Sequence, residues 1–168
     1  MIISYNREAA VSYAHQWAFN RNPVYYNYEE IGGDCTNFVS QCIFSGSGIM
    51  NYTPVFGWYY INANEKSPSW TGVPFLFDYL TRTFSGNLSP GPLAVPCGIG
   101  ETQPGDVVQL SANGEQFYHT AIIVSTGRLK TVLTVKVAAH SYDADNKSLA
   151  SYRNVAFRFL HITGVLTE

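Results

Sequence analysis

Cys35 lies in the run Gly32-Gly33-Asp34-Cys35-Thr36-Asn37-Phe38-Val39-Ser40. Gly32-Gly33 reads as a turn, and Asp34 as the cap of a helix that starts at Cys35. A cysteine in a first helical turn meets unpaired backbone N–H groups and the positive end of the helix dipole, which favour a thiolate. A thiolate is the nucleophile of acyl transfer. The plainer alternative is a small buried hydrophobe, the usual state of a free cysteine. Such a nucleophile works with a base, and the base with a group that orients it. His119 enters the apolar run Phe117-Tyr118-His119-Thr120-Ala121-Ile122-Ile123-Val124. A polar ring buried there unpaired would be costly, so His119 is the candidate base. His140 ends the next strand, and antiparallel pairing can bring it beside His119 to hold the ring in one tautomer. Asp143 is the rival for that role. His15 and His161 lack such a setting and read as structural.

Other chemistries match the residues less well. Six residues separate Cys35 from Cys42, unlike the short ligand spacings of zinc sites. Two helical turns also hold their Cα atoms about 10 Å apart, too far for a disulfide. Gly46-Ser47-Gly48 lacks the Gly and Lys of a phosphate loop. No metal and no cofactor are expected. The net charge of −2 leaves no basic face for nucleic acid. No apolar run approaches the ~20 residues of a membrane span. Three cysteines leave at least one thiol free, unlike a fully stapled secreted scaffold. Met1-Ile2-Ile3-Ser4 passes straight into a helical pattern, so a signal peptide is not expected in this stretch. The expectation is a chain made inside the cell or one whose export signal has been removed.

The elements that must position these residues follow from periodicity. Asn6 to about Asn20 reads as a helix capped by Asn6, with Ala10, Tyr13, Ala14, Trp17 and Ala18 at helical spacing. Cys35 to about Phe44 is a second helix and Val73–Phe84 a third. Residues 49–70 look irregular, and the Gly/Pro-rich residues 85–104 read as a long loop. The period then changes to two, predicting strands over 106–110, 118–125, 131–139 and 155–162. Asp143-Ala144-Asp145-Asn146-Lys147 reads as a turn. Helices followed by strands imply an α+β class, with N-terminal helices packed on an antiparallel sheet, in one domain over 1–168.

These motifs add up to a resemblance. Tyr5-Asn6-Arg7-Glu8-Ala9-Ala10-Val11, the Gly32–Cys42 block, Pro104-Gly105-Asp106-Val107-Val108-Gln109, Tyr118-His119 and Ala139-His140-Ser141-Tyr142-Asp143 look like the bacterial putative amidase domain. That family is similar to the NlpC-type and CHAP cell-wall peptidases. The resemblance implies a papain-like fold, with Cys35 as nucleophile, His119 as base and His140 as the polar third member. In NlpC-type enzymes a tyrosine upstream of the cysteine helps line the oxyanion hole. Tyr25, Tyr26 and Tyr28 stand in that region, and Asp34 and Trp58 are further candidates for oxyanion or substrate contacts. The substrate class implied is a peptidoglycan peptide.

The function expected is therefore a cysteine amidase or peptidase working through Cys35, His119 and His140. An acyltransferase on the same site, a non-catalytic cell-wall binding module and a thiol cross-linked structural protein are the alternatives. A cell-wall substrate would require export or release by lysis.

Overall fold

The computed structural model describes residues 1–168. Helix α1 (Arg7–Trp17) begins where Asn6 accepts a hydrogen bond from the Ala9 N–H at 3.0 Å. Its buried residues, Ala10 and Ala14, together with Ala18 just beyond, are small. Small residues let α1 lie close against helix α2 (Cys35–Ser47), which is buried along nearly its whole length. Phe38, Val39, Cys42 and Ile43 supply the apolar side of α2. All but one of its buried polar side chains find partners: Thr36 on Thr120, Asn37 on the Trp70 indole N–H, Ser40 on the Trp58 indole N–H and Gln41 on Tyr13, while Ser47 Oγ in the last turn has none. Pairing of those four groups offsets most of the cost of burying so polar a helix. The helix runs through Gly46 to Ser47, three residues beyond the expected end, and is capped by a left-handed Gly48. Gly46 is required there, because a Cβ would stand 2.5 Å from the Asn6 carbonyl oxygen.

A short hairpin follows, β2 (Tyr60–Asn62) with β3 (Glu65–Lys66), and then α3 (Pro68–Thr71) and α4 (Val73–Leu80). Residues Arg82–Ser85 tighten into a 3₁₀ turn rather than continuing α4.

The remaining strands are β4 (Gly91–Cys97), β5 (Val107–Ser111), β6 (Phe117–Ser125), β7 (Lys136–Ala139), β8 (Ala144–Ser148) and β9 (Ala156–Leu166), with β1 (Ile2–Ile3) joining from the N-terminus. Every pairing is antiparallel. The order runs β4-β9-β5-β6-β7-β8, and β1 pairs with the far end of β9. The class is thus α+β with an antiparallel sheet. Besides the short β1, β2 and β3, none of which was expected, three strands depart from expectation: β7 begins at Lys136 and not at 131, and β4 and β8 are additional. β4 lies in the supposed loop, and it carries Pro92 and Pro96. It pairs only with β9, so the missing proline N–H groups can face an open edge. β8 lies where a turn was expected.

Alternation along the strands divides the sheet into two packed faces. Val107, Ile122, Val124, Ala138, Leu160 and Ile162 meet the helices. Val108, Leu110, Ala121, Ile123, Val137 and Phe159 pack on the opposite side, with Leu149. Asp106 locks the start of α1 to the sheet: its carboxylate accepts from Arg7 at 2.7 Å, the Ile162 N–H at 2.9 Å and His161 at 2.8 Å.

Candidate active site

Cys35 is the first residue of α2 and is 8% exposed. Asp34 stands at the cap position but makes no cap bond. Its Oδ1 accepts from the Tyr28 N–H and the Asn37 side-chain amide, both at 2.8 Å. Its Oδ2 faces His140 Nδ1 at 2.5 Å, with Arg21 Nε at 3.6 Å. With that carboxylate turned away, the first-turn N–H groups of α2 have no side-chain cap. The Cys35 thiol lies 3.8 Å from the Thr36 hydroxyl. Burial pushes the thiol above its ordinary value, while the Thr120 and Thr36 backbone N–H groups and the Thr36 hydroxyl pull it down; the Asp34 charge adds to the rise. Burial wins, so the helix start does not make Cys35 a resting thiolate.

His119 shares a cavity of about 450 Å³ with Cys35. No hydrogen bond joins the two side chains, and nothing in the chain hydrogen-bonds the His119 ring. Ser47 Oγ is the one fully buried side-chain N or O atom without a partner, so the His119 nitrogens open onto the cavity. The ring is lowered to about 4 by burial first and the Lys147 charge second, with Glu29 opposing. Thiol and imidazole therefore meet as a neutral pair at neutral pH.

His140 does not reach His119. Ile122 pairs with Ala138, and continuing that register sets His140 opposite Thr120. Thr120 and His119 are successive residues, so their side chains leave opposite faces of the sheet. His140 goes to the helix side, stacked on Phe38 at 4.0 Å. Its Nε2 donates to the Trp17 carbonyl at 2.8 Å, and its Nδ1 faces Asp34 Oδ2 at 2.5 Å. Asp143 does not reach His119 either: it takes a two-pronged bond from Arg21 at 2.9 and 3.0 Å.

The other expected contacts are also placed away from the cavity. Trp58 is fully buried in the core, near Trp70. Tyr28 is buried and donates to the Ala63 carbonyl, and the more exposed Tyr26 packs edge-on against it. The walls come instead from Gly32-Gly33, Ser141-Tyr142, Lys147 and Tyr152, with Tyr118 and Leu110. Gly33 has a φ of +97°, and a Cβ there would lie 3.4 Å from Ser141 Oγ. Ser141 accepts from the Asp34 N–H and gives its own N–H to Glu29, tying this wall to the helix start. The left-handed φ values of Ser141 and Tyr142, 61° and 67°, are strained for non-glycine residues. Tyr118 could have been found from its place next to His119; Lys147 was hidden in a polar stretch that reads as a turn.

Residues 4–162 match the family described as Putative amidase domain. The chain belongs to that family. This amidase-domain chain is also 30% identical over 173 residues to the Bacillus subtilis (strain 168) protein described as "Uncharacterized protein YhbB". The alignment covers 98% of this chain and 52% of YhbB, so the chain spans about half the length of that curated relative. No solved structure matches. Membership of the amidase-domain family points to an enzyme that hydrolyses amide bonds.

Proposed function

We propose that this chain is a cysteine-dependent amidase or peptidase acting on peptidoglycan peptides. The reading rests on one observation above others: Cys35, at an uncapped helix start, and His119 open onto one cavity in a member of an amidase family. A cysteine at a helix start, packed on an antiparallel sheet that carries the histidine, resembles the papain-like NlpC-type and CHAP peptidases. That likeness supports a cell-wall peptide as substrate.

Because the resting pair is neutral, His119 acts as a general base during attack rather than holding a preformed ion pair. Cys35 Sγ adds to the amide carbonyl carbon as its proton passes to His119. The first-turn N–H groups of α2 hold the oxyanion. His119 then gives the proton to the leaving amine as the C–N bond breaks. Water, deprotonated by His119, cleaves the thioester and releases the acid. His140 acts as a positioning residue through Asp34: it draws the carboxylate off the helix start.

Peptidoglycan digestion followed by mass spectrometry of the released fragments tests this. The wild type should release peptide fragments, Cys97→Ala should do the same, and Cys35→Ala should release none while remaining folded by circular dichroism. Substantial turnover by Cys35→Ala overturns the mechanism.

A further inference from the structure

The Cys35 cavity carries one charged group besides the titrating pair. Lys147 lines it, and no carboxylate does. The placement follows from strand register: Lys147 stands opposite Val137, which stands opposite Ile123. Two alternations along β6 lead from Ile123 to His119, so Lys147 and His119 project from the same face. The Lys147 ammonium sits 4.2 Å from the centre of the Tyr152 ring, which helps fix its position. It forms no ion pair. The nearby carboxylates are engaged elsewhere: Glu29 with Arg21 and the Ser141 N–H, Asp143 with Arg21 and Asp145 with His15.

A half-buried cation without a counter-ion, in a cavity that has no carboxylate, is complementary to an anionic ligand. We infer that Lys147 selects substrates that carry a free carboxylate close to the scissile amide, by pairing with that carboxylate across the cavity from Cys35. This rests on the amidase reading and narrows it to acidic peptides. The Tyr152 ring and the strand hold the ammonium, so part of the ordering cost is met before substrate arrives. A charge-assisted contact of this kind changes affinity by about tenfold or more.

The test uses matched synthetic peptides that differ only in a free carboxylate or its carboxamide beside the scissile bond. Turnover is measured with the wild type, and binding by calorimetry in the Cys35→Ala protein, which reads recognition without chemistry. The acid should exceed the amide about tenfold in kcat/KM, mostly through KM, and by a similar ratio in Kd. Lys147→Gln should bring both ratios close to one, and Lys147→Arg should keep most of the preference. Equal turnover of acid and amide by the wild type overturns the carboxylate reading and leaves the hydrolase standing. Acid-selective, Lys147-dependent binding without turnover of either peptide does the reverse. Retention of the full preference by Lys147→Gln also overturns the inference.

Discussion

Replacing His119 by Gln isolates a titration that folding itself shifts. In the native chain the ring stays neutral down to about pH 4, because burial and Lys147 oppose its charge. In the unfolded chain it takes a proton near its ordinary value of about 6.5. Between those values the unfolded state binds more protons, so stability falls as pH falls. The contribution is fully present above about pH 7, declines as the pH falls from 6.5 to about 4, and changes no further below that. A shift of this size corresponds to roughly 3 kcal/mol. Urea unfolding of wild type and His119→Gln at pH 7 and pH 4 provides the measurement. Other groups titrate alike in both proteins and cancel in the comparison. The wild type should therefore lose about 3 kcal/mol more than the variant. Equal losses would show that His119 is not held neutral by its surroundings. The same shift moves the acid limb of the wild-type kcat/KM profile to near pH 4, since His119 must be unprotonated to act as base.

Two further outcomes follow from the site. Alkylation of Cys35 by iodoacetamide should accelerate steadily with pH up to and beyond pH 9, because burial raises the thiol; a rate that is flat from pH 5 to 8, followed by peptide mass spectrometry, would instead indicate a preformed thiolate. Asp34→Ala and His140→Ala should each cost about 3–5 kcal/mol in chemical denaturation, since either leaves a buried polar partner uncompensated. Their double mutant should cost clearly less than the sum, whereas Asp143→Ala, which breaks a part-exposed pair with Arg21, should cost less than about 1 kcal/mol. Additive losses at Asp34 and His140 would refute the pairing.

The parts of this protein that depend on neighbours in the chain were readable from sequence. Asn6 and the alanine spacing located α1, and Gly32-Gly33-Asp34 located the start of α2, because caps, turns and helical faces are set within a few residues. The period-two runs located β5, β6 and β9 to within a few residues. Local signals misled where tertiary pairing overrode them. Pro92 and Pro96 argue for a loop, yet β9 offers β4 a full partner on one side. Asp145, Asn146 and Lys147 read as a turn, yet β7 recruits them as a strand.

Sequence by itself determined the chemical inventory: one cysteine at a helix start, one histidine entering a buried strand, and the α+β order of the elements. What it left undecided was parity. His119 lies on β6 and His140 just past the end of the adjacent β7, but a one-residue offset sends one ring to the cavity face and the other to the helix face, onto Phe38 and Asp34. The same rule brings Lys147 to the side of His119. Register is fixed by long-range strand pairing and by which face each side chain can bury, so only the folded sheet could decide which of these residues meet.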